Sequence, residues 1–215
     1  AGLAVFVIIL DLIVRRKGIL PWVTLAGLLI PIACSLALWV DLNDTGASEM
    51  EGIFGALVVD KYSIFFKLLF IGVVAFVVLI STDYGRRFSR FQAEYYALIL
   101  FSSTGMMVLA STTELITIYI ALELTALPIA ALVAFLRNNR SSESGMKFLI
   151  LSALSSALLL YGMVLVYGLT GTTMLGEIAT QIVHLQTNTD NTILGSHALI
   201  FGIVLMIAAF GFKVA

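Results

Sequence analysis

The sequence has 215 residues, of which 60% are hydrophobic and only 12% charged, and its formal net charge is −1. Water-soluble proteins carry about 25% charged residues, so a chain with a mean hydropathy of +1.08 lacks the polar groups to cover a water-soluble fold, and its charge balance offers no basic surface for nucleic acid. The single cysteine, Cys34, excludes an internal disulfide and any all-cysteine iron–sulfur or zinc site, and two distant histidines argue against a metal centre.

Seven apolar windows follow one another along the chain. A transmembrane helix needs about 20 apolar residues, and so many such runs in succession leave no polar face for water. The windows are roughly 1–14, 20–40, 61–81, 93–111, 114–136, 145–169 and 194–215. They predict an all-α, polytopic membrane helix bundle with about seven transmembrane helices. Because the chain opens and stops inside apolar runs, we expect it to be a fragment of a longer protein.

Basic residues concentrate in alternate loops. Eight of the twelve lysines and arginines fall between spans 1 and 2, 3 and 4, or 5 and 6, whereas the other loops carry acids. The positive-inside rule makes the basic loops cytoplasmic and places the N-terminus outside. The second of the two long outer segments, 41–60 and 170–193, is predicted to hold a short amphipathic helix around Met174–Leu185. The basic loop residues are Arg15, Arg16, Lys17, Arg86, Arg87, Arg90, Arg137 and Arg140.

Aromatic residues near the ends of spans predict the two membrane interfaces. Trp22 and Trp39 lie 17 residues apart in the second span, a distance of about 25 Å at helical rise. This spacing matches an aromatic belt at each interface. Tyr95 and Tyr96, near the start of the fourth span, are also interpreted as belt aromatics.

Glu123 is the main candidate for a functional residue. It lies near the middle of the fifth span, where a charge costs about 2.5–3.5 kcal/mol on insertion scales. Five residues later comes Pro128, which cannot donate a hydrogen bond to the carbonyl of Leu124. A carboxylate beside a freed carbonyl suits a proton carrier. The alternative is a static ion pair, or a protonated glutamate bonded to a neighbouring helix.

Two lysines are further candidates, each with a structural alternative. Lys147, early in the sixth span, either extends to water or faces inward toward Glu123. Lys213 lies about 27 Å along the last span at helical rise, so a straight helix puts it near the far interface, and a longer or broken helix puts it deeper. The small residues Ser152, Ala153, Ser155 and Ser156 of the sixth span are interpreted as helix-packing positions.

The second half of the sequence resembles a known family. The carrying segments are EYYALILFSSTGMMVLASTTELITIYIALELTALPIAALVAF, RNNRSSESGMKFLILSALSSALLLYGMVLVYGLTG and the closing GFK, with weaker support from VVDKYSIFFKLLF. In this order and spacing they resemble the antiporter-like membrane subunit N of respiratory complex I, also called NADH-quinone oxidoreductase.

The resemblance implies a fold and a function. Residues 1–92 would hold three N-terminal helices, and residues 93–215 helices 4–7 of an antiporter-like inverted repeat, in which the seventh helix, 194–215, would be broken. Glu123, Lys147 and Lys213 match the family's proton-relay residues. The chain would be a non-redox, proton-translocating subunit in the cell membrane, with other complex I membrane subunits as partners. It would bind no cofactor itself, while the whole complex uses NADH and quinone.

Three other functions remain open. The chain could be a subunit of a multi-subunit cation/proton antiporter, or part of a membrane arm driven by a hydrogenase. It could also be a passive structural subunit whose charges are fixed ion pairs. The segment LELTALPIAALVAF favours subunit N over the antiporter proteins.

Overall fold

The computed structural model describes residues 1–13, 20–45, 49–52, 55–85, 91–187 and 193–214. Within these residues the chain forms eight helices and one antiparallel pair of short strands, in which Glu49 pairs with Asp60. The helices are α1 (Gly2–Ile13), α2 (Leu20–Thr45), α3 (Lys61–Gly85), α4 (Gln92–Leu109), α5 (Leu115–Val133), α6 (Asn139–Thr170), α7 (Leu175–Thr187) and α8 (Ile193–Val214), and the strands are β1 (Glu49–Glu51) and β2 (Val58–Asp60).

The predicted all-α membrane bundle is confirmed, since each of the seven apolar windows holds one helix. In the described part of the chain, five helices are long and apolar enough to cross a membrane, and they occupy Leu20–Asp44, Lys61–Thr82, Leu115–Val133, Asn139–Thr170 and His197–Val214. The helix in the first window has only 12 residues. The helix in the fourth window, α4, carries several polar residues among its apolar ones.

Helix α7, which lies outside the seven apolar windows, is the predicted amphipathic helix of the outer segment. Ile178 is buried and Ile182 packs against the apolar core, whereas Glu177 and Thr180 are exposed. The apolar residues are four apart and therefore share one helical face. The prediction for 174–185 is thus confirmed in position and in character.

Helix α4 lies at the centre of the N-terminal half of the bundle. It packs against α1, α3 and α5, and half of its residues are buried. Tyr96 is 0% exposed, and its hydroxyl donates a hydrogen bond to the Ser81 carbonyl of α3 at 3.4 Å. The interpretation of Tyr96 as a belt aromatic is therefore wrong. A tyrosine close to a helix end is buried here because its own helix is surrounded by others.

Glycines allow two helix pairs to approach closely. A Cβ added at Gly105 of α4 would lie 2.7 Å from the Ala121 carbonyl oxygen of α5. One added at Gly162 of α6 would lie 2.7 Å from the Gly202 carbonyl oxygen of α8. Small residues at such crossings let backbones pack directly, which is typical of helices in membranes. These two crossings hold α5 close to α4 and α8 close to α6.

The ends of α6 carry hydrogen-bonded caps. The Asn138 side chain accepts a hydrogen bond from the Ser141 backbone N–H at 2.7 Å, as expected of a residue that caps a helix N-terminus. At the other end Gly171 adopts a left-handed conformation with φ of 72°, which glycine reaches without steric cost. Helix α6 therefore begins at Asn139, six residues before the predicted window.

The connection between α4 and α5, residues 110–114, is held from two sides by backbone hydrogen bonds. On one side, Val58 N–H donates to the Ser111 carbonyl at 2.7 Å. On the other, Leu115 N–H donates to the Thr173 carbonyl and Leu175 N–H to the Thr113 carbonyl, both at 2.9 Å. The start of α3, the end of α4, the start of α5 and the end of α6 thus meet at one end of the bundle.

Side-chain contacts gather the opposite helix ends. The Tyr95 hydroxyl, at the start of α4, donates to Ser81 Oγ near the end of α3 at 3.2 Å. The Tyr95 ring also contacts the Phe135 ring, just beyond the end of α5, with centroids 5.5 Å apart. Consecutive helices from α3 to α6 therefore alternate in direction, as the alternation of loop charges predicts.

Candidate functional site

Two charged side chains meet between α5 and α8. Lys213 Nζ lies 2.9 Å from Glu123 Oε1, and the side chains are only 11% and 23% exposed. Each charge alone would be costly among apolar helices. Their contact offsets part of that cost, although a buried pair is stable only when its geometry and further hydrogen bonds are good. This ion pair is the centre of the site.

Helix α5 places Glu123 eight residues after its first residue, Leu115, which is about 12 Å along the helix axis. The helix continues across Pro128 to Val133. Because proline has no N–H, the Leu124 carbonyl lacks its usual helical donor one residue after the carboxylate. A carboxylate and a carbonyl without its usual donor therefore lie on adjacent residues of α5.

Helix α8 places Lys213 in its last turn. The helix is continuous over Ile193–Val214, so the break implied by the family resemblance does not lie in this range. The Lys213 ammonium binds Glu123 instead of extending to an interface. The surface position considered for Lys213 is therefore wrong for its side chain in this structure.

Ser156 of α6 completes the contacts of Glu123. Its side chain is buried, and its hydroxyl donates a hydrogen bond to Oε1, the same oxygen that Lys213 binds. Its neighbour Ser155 donates to the Ala209 carbonyl of α8 at 2.9 Å, one helical turn before Lys213. Three helices therefore converge on one carboxylate oxygen.

The prediction of Ser156 as a helix-packing position misses its contact with the carboxylate. The signal that could have found it is a pair of adjacent serines in an otherwise apolar stretch of a span that neighbours the glutamate. Hydroxyls in such a stretch need a partner when they are buried. Ser155 does pack between helices, as predicted, with a hydrogen bond to backbone.

Lys147 lies apart from this pair. Its Nζ contacts Glu143 Oε1 on the same helix at 2.6 Å, and both side chains are mostly exposed, at 71% and 66%. Nine residues separate Lys147 from Ser156 along α6, about 14 Å at helical rise. The structure thus brings Glu123 and Lys213 together and does not bring Lys147 to them.

The acids and histidines of the described residues do not form a metal site. No group of three or more His, Cys, Asp or Glu side chains in this part of the chain is placed to hold an ion. The groups that meet at the Glu123–Lys213 pair are a carboxylate, an ammonium and a hydroxyl, which together can hold, share and release protons.

Comparisons with known proteins agree with this fold and cover the site. The family described as NADH:quinone oxidoreductase/Mrp antiporter, TM matches residues 112–215, which include Glu123, Lys147 and Lys213. NADH-quinone oxidoreductase subunit N of Dehalococcoides mccartyi is 42% identical over 214 residues, which are 99% of this chain and 42% of the relative. The chain therefore spans less than half the length of that relative.

Solved structures show the same fold. A chain of respiratory complex I from Thermus thermophilus with bound aureothin superposes with a TM-score of 0.72 at 28% identity, over 98% of this chain and 42% of that one. A chain of the membrane-bound sulfane sulfur reductase, an archaeal respiratory membrane complex, has a TM-score of 0.69 at 22% identity, over 97% of this chain and 42% of that one. The second likeness concerns the fold alone.

Proposed function

Because the chain belongs to the family of the antiporter-like subunit N of NADH-quinone oxidoreductase, we propose that it is the N-terminal part of a proton-translocating subunit in the membrane arm of that complex. Its partners are the other membrane subunits, and its location is the cell membrane. NADH and quinone react elsewhere in the complex, so this subunit takes part in the enzyme without carrying electrons.

The observation that carries the proposal is the 2.9 Å pair of Lys213 and Glu123. At an effective dielectric constant of about 20, two unit charges at this distance attract each other by about 6 kcal/mol. Moving one charge through a membrane potential costs about 2.3 kcal/mol per 100 mV. Opening or closing the pair is therefore an electrostatic change at least as large as the cost of moving one charge against an ordinary membrane potential.

The relay proceeds in two parts. When quinone reduction drives Lys213 away from Glu123, each group loses the charge that stabilised its ionised form, and a proton can leave or enter. Lys147 then exchanges protons between the cytoplasmic side and the central pair. It lies early in α6, seven residues after Arg140 and ten after Arg137, and the positive-inside rule assigns these basic residues to the cytoplasm. The N-terminus is outside in this orientation.

A subunit of a cation/proton antiporter is the second candidate. The matching family model includes such proteins by its own description. An antiporter would exchange a metal cation for protons without NADH, whereas the proposed subunit requires electron transfer. Imposing a sodium gradient across vesicles without NADH distinguishes the two, because only the antiporter acidifies or alkalises the lumen.

The test uses the full-length protein, in its complex, in inside-out vesicles. Wild type is compared with Glu123→Gln, while NADH oxidation and lumen acidification are recorded together after assembly is checked on a native gel. Glu94→Gln is the matched control, because it makes the same change at an exposed glutamate of α4. We expect Glu123→Gln to assemble and to lose pumping. Normal pumping by this variant would overturn the proposal.

A further inference from the structure

Adjacent serines of α6 contact two different helices at the ion pair. Ser156 donates to the Glu123 carboxylate of α5, and Ser155 donates to the Ala209 backbone of α8. We propose that Ser156 is a positioning residue of the relay, which keeps Glu123 oriented and ionised when Lys213 moves away. This inference rests on the proposed function, since it assigns a role within the same proton relay.

The arrangement of donors supports this role. Ser156 Oγ and Lys213 Nζ both bind Oε1 of Glu123, and a carboxylate oxygen can accept two hydrogen bonds. When the lysine departs, the hydroxyl still holds that oxygen, so the side chain keeps its direction. Because Ser156 is buried, bulk water cannot take over its hydrogen bond to Glu123 without a change in packing.

The hydroxyl also distinguishes between the two protonation states of the carboxyl group. A hydroxyl can donate to a carboxylate or accept from a carboxylic acid. Hydrogen bonds to an ionised acceptor are roughly twice as strong as those between neutral groups. The contact is therefore stronger when Glu123 carries its charge than when it does not.

Few titratable groups face this contact. Among the described residues, Glu123 of α5 and Lys213 of α8 are the ones that meet at the Ser156 hydroxyl. Lys147 and Glu143 are on the same helix as Ser156 but lie exposed and paired with each other. A change in pH dependence after substitution of Ser156 therefore reports on the central pair.

The experiment measures protons pumped per NADH oxidised as a function of pH, in vesicles containing the whole complex. This ratio removes the pH dependence of electron transfer itself. Ser156→Ala is expected to move the acidic limb of the profile upward, because it removes a hydrogen bond that is strongest to the carboxylate. Ser156→Thr, which retains a hydroxyl, restores the wild-type limb.

Ser155→Ala is the matched control. It removes an equally buried hydroxyl from the next residue, but one that binds a backbone carbonyl. We expect its acidic limb to coincide with that of wild type. A wild-type limb in Ser156→Ala, or the same shift in Ser155→Ala, would overturn the assignment of Ser156.

Two further variants keep the result decisive. If Ser156→Ala does not assemble, Ser156→Cys takes its place, because cysteine is nearly the same size as serine and is only a weak donor. An upward shift of the acidic limb in Ser156→Cys then supports the assignment, and an unchanged limb refutes it. Glu123→Gln separates this inference from the proposed function. If Glu123→Gln pumps normally, the relay itself is wrong; if it does not pump while Ser156→Ala behaves as wild type, only the role of Ser156 is wrong.

Discussion

Lys213 and Glu123 are 90 residues apart in sequence, and their side chains form a hydrogen bond of 2.9 Å between α8 and α5. Inside an apolar bundle, each residue neutralises the charge of the other. The two residues are therefore coupled in stability and, under the proposed function, also in proton transfer, and double substitution separates these two effects.

Replacing both members of the pair should restore stability without restoring pumping. Glu123→Leu or Lys213→Met alone leaves one unpaired buried charge, which costs about 3–5 kcal/mol in soluble proteins. The double variant removes both charges and should recover most of the loss. Thermal inactivation of the purified complex measures stability, and vesicle acidification measures pumping. If the double variant pumps normally, the pair is a fixed structural contact and the passive alternative is correct.

Gly162→Ala should separate α6 from α8. The added Cβ would lie 2.7 Å from the Gly202 carbonyl oxygen and 2.8 Å from Met206 Cγ, so the helices must move apart. Overpacking of this kind costs about 1–3 kcal/mol, which should lower the temperature at which the complex inactivates.

Gly168→Ala on the same helix provides the comparison. A Cβ there meets nothing within 4 Å, and alanine is the better helix former by about 1 kcal/mol. This variant should be as stable as wild type or slightly more stable. Equal effects of the two substitutions would mean that the close crossing does not limit packing.

Lys147 and its neighbour Glu143 should differ in their importance for transport. Their exposed contact at spacing i,i+4 is worth only about 0.3–0.5 kcal/mol, so neither substitution should prevent assembly. Lys147→Met should reduce the number of protons pumped per NADH, because the proposed relay then lacks one of its residues. Glu143→Gln should pump as wild type does. Unimpaired pumping by Lys147→Met would remove Lys147 from the relay and leave it a surface residue.

Asn138→Ala should destabilise the start of α6. The substitution removes the acceptor for the Ser141 N–H, which lies 2.7 Å from the asparagine oxygen, and the loss of such a cap costs about 1 kcal/mol. Asn139→Ala, inside the first turn of the same helix, is the matched control and should change stability little. The temperature of half-inactivation in detergent compares them, and an equally stable Asn138→Ala would show that the cap contributes nothing.

Much of this fold follows from the sequence because the bilayer imposes a length on every span. Apolar runs located all seven bundle helices, and the amphipathic pattern located α7. Glu123 stood out because a charge in the middle of an apolar span is costly. The family resemblance connected it with Lys213, which spacing alone left near an interface.

The remaining contacts depend on which helices pack against one another, and the spacing of residues along the sequence does not determine this. A tyrosine near the start of an apolar span fits a buried position as well as an interfacial one. Tyr96 is buried because α4 is surrounded by other helices. Ser156 resembles any small packing residue until α5 is placed against it. At the α4–α5 connection, the hydrogen bonds that Ser111, Thr113 and Leu115 make with neighbouring segments use backbone atoms, so no side-chain pattern predicts them.

That connection has a mechanical consequence. Backbone hydrogen bonds hold the entry to α5 against residues 56–58 on one side and 173–175 on the other, which makes this helix end a fixed pivot. Glu123 lies between the pivot and Pro128, on the anchored arm of the helix. Lys213, in the last turn of α8, reaches the carboxylate through a flexible four-carbon side chain. Under the proposed function we therefore expect the lysine side chain to move while the glutamate stays in place.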